Sequence, residues 1–200
     1  MDARLDLTTQ TIDQRPGQST SGWLKGYYFT RFAFSAVWVA TAFGVAKNVP
    51  ALAAIMLAGY PAWDGIANFV DARRNGGLGR NKTQLLNFIV SLITTVAVAG
   101  ALGDSMNSVL VVFGVWAGFA GIFQLATGVR RWKSHGAQWV MILSGAQSAL
   151  AGFLFVKMAG GSGPVGITTV APYAAFGAFY FLVSAVWLMV SEHRAQRAAS

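Results

Sequence analysis

The chain has 200 residues, 54% of them hydrophobic and only 11% charged, with a mean hydropathy of +0.50. That is too apolar for an ordinary soluble domain. A formal net charge of +8 does not point to nucleic acid, because the basic residues fall in the connections between apolar blocks, where Lys and Arg set membrane orientation and meet anionic head groups.

Residues 1–25 are polar and rich in Thr, Gln and Ser. They lack the apolar core of a cleavable signal peptide and are expected to form a disordered cytoplasmic tail. Six apolar blocks follow, at 26–46, 50–71, 84–102, 107–128, 137–157 and 169–190. Each has about the 20 residues that a helix needs to cross the hydrocarbon core. The expected fold is all-α: a six-helix transmembrane domain over 26–190 and a second cytoplasmic tail over 191–200. Thirteen of the fifteen basic residues lie at the two termini, at the start of the first block (Arg31) and in the second and fourth connections, against Lys47 and Lys157 on the other side. The positive-inside rule then places both termini in the cytoplasm of a multi-pass bacterial inner-membrane protein.

The helices repeat. Gly65, Gly121 and Gly177 recur at an interval of 56 residues in blocks two, four and six. Ser35, Ser91 and Ser144 are the corresponding choice in blocks one, three and five, with Val39, Thr95 and Ser148 four residues on. The unit is a helical hairpin used three times. It differs from an inverted repeat, which needs an odd number of helices per unit to change topology.

Within this frame the most informative residues are Arg31 and Asp64. Counted from the turn near Pro50 they lie at similar depth, about 25 Å from the outer turn at 1.5 Å per residue. Charged groups at such positions face the protein interior and pair. The first expectation is a structural ion pair between helices one and two, with a proton or ion relay and a solvated, snorkelled pair as the alternatives. Asn68, Asn87, Gln124 and Gln147 are expected to form interhelical hydrogen bonds. Asp71, beside Arg73 and Arg74, reads as a solvated cluster at the membrane surface. Gly114 and Gly118, with a stripe of Gly145, Ala149 and Gly152, read as close-packing seams within the monomer.

No catalytic machinery is visible. Cys is absent and the only histidines are His135 and His193, so no thiol nucleophile, Cys site or His-rich metal site is expected. The glycine-rich stretch from Gly76 to Gly79 lacks the strand and the basic ending of a phosphate loop. Asn81 heads a glycosylation sequon in a connection expected to be cytoplasmic. The chain is expected to be non-enzymatic and without a cofactor.

The stretch Phe113-Gly-Val-Trp-Ala-Gly-Phe-Ala-Gly-Ile-Phe-Gln-Leu-Ala-Thr-Gly-Val-Arg-Arg-Trp132 continues through Gln138-Trp-Val-Met-Ile-Leu-Ser-Gly145 to Ala151 and Gly152. This glycine-rich helix, basic loop, Trp and Ser-Gly resemble the repeated unit of the HdeD family of small bacterial inner-membrane proteins, over about residues 27–188. The resemblance implies a six-helix layout and, by analogy with the member that names the group, a role in acid-stress tolerance. It supplies no catalytic or binding residues. The residues from Tyr60 to Asp64 and the long basic loop after them depart from that acid-resistance protein. Two functions are therefore expected: a non-enzymatic envelope protein that supports stress tolerance, or a small transporter or proton-coupled permease using Asp64 and Arg31. The partners expected are anionic lipid head groups at the basic loops and a membrane-protein partner or second copy, with no nucleic acid.

Overall fold

The computed structural model describes residues 16–130 and 138–199. Six helices run in chain order: α1 (Pro16–Gly44), α2 (Pro50–Arg74), α3 (Lys82–Ala101), α4 (Met106–Arg130), α5 (Gln138–Ala159) and α6 (Ile167–Ala199), with a single 3-10 turn at Ala46–Asn48 before α2. Among the described residues, four stretches are long and apolar enough to cross a membrane: Lys82–Ala101, Met106–Ala126, Trp139–Ala159 and Ile167–Arg197. Helices α1 and α2, at 29 and 25 residues, have the length but carry Lys25, Arg31, Asp64 and Asp71 along it. The chain is a multi-pass membrane protein, and its exposed Ile, Leu, Val and Phe side chains are what a lipid-facing surface requires.

Residues 1–15 lie outside the described residues, but from Pro16 the backbone is already helical, and α6 continues through the expected second tail to Ala199. The fourth connection, with Arg131, Trp132, Lys133 and His135, lies outside the described residues. The second connection is built locally. Gly76 and Gly77 adopt positive φ of 93° and 89°, which a side chain rarely tolerates. The Asn81 amide donates to the carbonyls of Asn75 and Gly77 at 2.8 and 2.9 Å.

The helices close into a ring in chain order, α6 returning to pack on α1. The closest backbone packing is not within the repeated hairpins but between them: α2 with α3, α4 with α5, α6 with α1. Glycine explains the closest of these. A Cβ placed on Gly152 of α5 would lie 2.5 Å from the Gly114 carbonyl and 2.6 Å from the Gly118 nitrogen, so the small-residue seam is intramolecular. At the α2–α3 contact, a Cβ on Gly65 would meet Ser91 at 3.3 Å.

The core fills only one half of the ring. Trp38, Leu57, Val98, Val109, Phe113, Phe155 and Val170 are buried together, all between mid-membrane and the side of the ring bearing Lys47 and Lys157. Toward the basic connections the ring is hollow.

Candidate functional site

The hollow half is a cavity of about 800 Å3. Its mouth, on the side of the basic connections, is lined by Leu24, Asp71, Gln84, Val140 and Leu188, from α1, α2, α3, α5 and α6. Its deepest residues include Ser35, Tyr60, Trp116, Ser148 and Tyr173. From Leu24 to Ser35 is eleven residues of helix, a depth of about 16 Å.

Arg31 and Asp64 stand in the wall. The tight turn between α1 and α2 makes the helices antiparallel and brings both residues to one level. Arg31 Nη2 is paired with Asp64 Oδ1, and the two side chains are 14% and 18% exposed. Arg31 Nη1 donates to the Tyr27 hydroxyl at 3.2 Å, and the guanidinium lies 4.2 Å from the centroid of the Phe181 ring on α6. Its Nε is buried without a hydrogen-bond partner among the described residues. The other carboxylate oxygen, Asp64 Oδ2, accepts from Asn68 Nδ2 at 3.0 Å and from Ser91 Oγ at 3.1 Å. Four helices therefore meet at one charge pair. An unpaired charge here would carry a heavy desolvation penalty.

The four expected interhelical amides divide. Gln147 alone makes such a bond, accepting from the Tyr180 hydroxyl at 2.7 Å across α5 and α6. Asn68 bonds within its own helix, to the Asp64 carboxylate and carbonyl. Asn87 and Gln124 line the cavity and have no protein hydrogen bond among the described residues. Asp71 also departs from expectation. It pairs with neither Arg73 nor Arg74 but lines the cavity, accepting from Asn75 Nδ2 at 2.9 Å and Gln84 Nε2 at 3.1 Å.

The floor was not foreseen. Trp116 Nε1 donates to Ser91 Oγ at 3.2 Å, and the Tyr173 hydroxyl lies 3.0 Å from Ser148 Oγ. Ser148 itself donates to the Ala117 carbonyl at 2.9 Å, so Tyr173 is the donor of that pair. Tyr60 and Ser35 of the first hairpin line the same end of the cavity. In each hairpin the serine and the aromatic residue are twenty-five positions apart: 35 to 60, 91 to 116, 148 to 173. The three rings meet edge to face, Tyr60 to Trp116 at 5.9 Å and Trp116 to Tyr173 at 6.1 Å, the arrangement aromatic quadrupoles favour. This pattern corrects the alignment of the repeat. Ser148, buried like Ser35 and Ser91, takes the position expected for Ser144. The spacing was present in the sequence as a serine followed by an aromatic residue, a signal too common in apolar helices to be picked out alone.

A second charge pair, Lys25 with Glu192, ties α1 to α6 near the mouth. Among the described residues no group of three or more His, Cys, Asp or Glu could hold a metal ion.

Residues 86–157 match a family model described as a short repeat of unknown function, DUF308. The match takes in most of α3, all of α4 and α5 to Lys157, and it contains the stretch that carries the HdeD-like resemblance. It stops short of the first hairpin, so Arg31 and Asp64 lie outside it, as does α6. No curated protein and no solved structure matches the chain.

Proposed function

We propose that the chain is a non-enzymatic permease of the bacterial cytoplasmic membrane that admits a small solute to the ring cavity from the cytoplasmic side, with Arg31 and Asp64 as its charged centre. The observation that supports this is the cavity. Its volume, about 800 Å3, falls within the roughly 300–1,000 Å3 of small-molecule sites, and it reaches the ion pair. A pair that only fastened two helices would be served as well by a filled interior. Intramembrane ionisable residues beside a water-accessible space mark solute and proton pathways.

The distribution of basic residues supports a cytoplasmic mouth and cytoplasmic termini, with anionic head groups around the exposed Arg73 and Arg74. The aromatic floor is then the barrier to the other face, and passage requires Tyr60, Trp116 and Tyr173 to part. Two features equip the floor to respond. Pro61 and Pro172 lie inside α2 and α6, next to Tyr60 and Tyr173, where each removes a backbone hydrogen bond from its helix. The Ser91 hydroxyl is shared between Asp64 and Trp116, so a proton or solute that takes the place of Arg31 at Asp64 alters the bond that holds Trp116. A role in envelope or acid-stress tolerance is the physiological setting suggested by the HdeD-like resemblance.

The test is flux in reconstituted vesicles containing a trapped pH-sensitive dye. The unmodified protein should carry solute-dependent proton movement, and Asp64→Asn should lose it when flux is counted per molecule inserted. Absence of flux in the unmodified protein overturns the proposal. Flux that returns together with abundance when Arg31→Gln is added to Asp64→Asn returns the pair to a purely structural role.

A further inference from the structure

We infer that the cavity is a site for a lipophilic organic cation, an inference that rests on the permease reading and names the solute class. The first ground is charge. The chain is strongly basic, yet the charged residues lining the cavity are one cation and two carboxylates, Arg31, Asp64 and Asp71. Arg31 is spent on Asp64. Asp71 receives only neutral amide donors, from Asn75 and Gln84, and among the described residues no Lys, Arg or His pairs with it. The cavity therefore carries at its mouth one carboxylate with no ion-pair partner among the described residues.

The second ground is the wall. Tyr28, Trp63, Tyr180, Phe181 and Trp187 all line the same space. Aromatic faces attract cations through the ring quadrupole, more strongly when the site is shielded from water, and rings set around a cavity are the usual means of holding quaternary ammonium groups. This wall already holds one cation by that means: the Arg31 guanidinium lies over Phe181 at 4.2 Å and near Tyr27 at 5.8 Å. The charge pair shows the site's chemistry with a resident cation.

The third ground is the cost of the opposite choice. An anion that took the place of Asp64 on Arg31 would leave a carboxylate in the wall with Ser91 and Asn68 as its remaining partners among the described residues. A cation instead meets Asp71 on entry, with the Arg31–Asp64 pair left intact below it. Asn87 and Gln124, without a protein hydrogen bond among the described residues, supply neutral donors and acceptors that suit a polar group on the solute.

The probe is tetraphenylphosphonium, compared with tetraphenylborate, its near-isostere of opposite charge. Binding to the full chain in lipid nanodiscs is followed by equilibrium dialysis, with empty nanodiscs as the partition control. The phosphonium should bind saturably and at least tenfold more tightly than the borate. Asp71→Asn should weaken it about tenfold with little change in melting temperature, since the asparagine carbonyl still accepts from Gln84 and Asp71 is in no ion pair among the described residues. Equal or tighter binding of the borate, or uptake of both ions that never saturates above the empty discs, overturns the inference. So does an Asp71→Asn variant that binds the phosphonium as the parent does. Saturable phosphonium binding without any flux in vesicles would leave the cation site standing and remove the permease reading. Flux of a neutral or anionic solute without phosphonium binding would do the reverse.

Discussion

The two halves of the ring are made by the same six helices and the same repeated hairpin, yet one is solid and the other hollow. In the solid half, glycine and alanine let backbones approach until Gly152 touches Gly114 and Gly118, and Phe113, Phe155 and Trp38 fill what remains. In the hollow half the first hairpin contributes Arg31, Asp64, Asn68 and Asp71, and the others contribute amides and hydroxyls at the same level. Polar side chains in a membrane need partners that lipid cannot supply. The ring satisfies the charged pair with four helices and leaves several amides turned to an open interior. The aromatic floor is the boundary between the two regimes.

That contrast is broken most severely from the solid side. Gly152→Leu forces a branched side chain against the α4 backbone, where no rotamer relieves the overlap. Overpacking of this kind costs roughly 3 kcal/mol or more, and the variant should fail to give a folded, monodisperse peak in detergent. Next in size is Asp64→Asn, which leaves Arg31 without its counter-charge. Removing one partner of a fully buried pair costs about 3–5 kcal/mol; side chains 14% and 18% exposed and facing a cavity place this pair lower, at about 2–3 kcal/mol. Unfolding titrations in mixed micelles should show that loss, and Arg31→Gln added to Asp64→Asn should recover most of it. A double variant no more stable than the single one contradicts the assignment of the loss to an unpaired Arg31.

A step smaller is Ser91→Ala, which removes the hydroxyl shared by the charged centre and the floor. Trp116, buried at 3% exposure, is left with a donor and no acceptor, for about 1–2 kcal/mol. The indole absorption and emission should shift with the lost hydrogen bond. An unchanged tryptophan spectrum would separate the floor from the ion pair.

Periodicity and charge revealed depth but not azimuth, and this explains what was legible before the fold was known. Six blocks of about twenty apolar residues define six helices, and counting from Pro50 sets Arg31 level with Asp64, because rise per residue is fixed. Which neighbour each helix packs against most closely is not encoded in that count. The hairpin is the unit of repetition, while the tight contacts fall between hairpins, where glycines happen to face. Asp71 looked like a surface partner of Arg73 and Arg74 because they adjoin it in sequence, but successive helix positions point about 100° apart, so its carboxylate turns inward while theirs turn out. Lys25 and Glu192 are 167 positions apart and were assigned to tails; only ring closure by α6 brings them together.

The alignment of the third hairpin offers the finest test of the repeat. Ser144 and Ser148 are one helical turn apart on α5, both line the cavity, and sequence comparison alone favoured Ser144. The structure gives Ser148 the place of Ser35 and Ser91: it is buried, donates to the Ala117 carbonyl at 2.9 Å and accepts from Tyr173. Ser148→Ala deletes both bonds. Hydrogen bonds between membrane helices average only about 0.6 kcal/mol, because the separated helices find other partners, so a loss of roughly 1 kcal/mol is expected. Ser144→Ala should change stability by less than about 0.5 kcal/mol, the range of substitutions that break no buried bond. The comparison is made by unfolding both variants beside the parent in the same micelles. Equal losses would mean that the twenty-five-residue spacing of serine and aromatic residue is coincidence in the third hairpin. A loss confined to Ser148→Ala would mean that all three hairpins close the floor by one device.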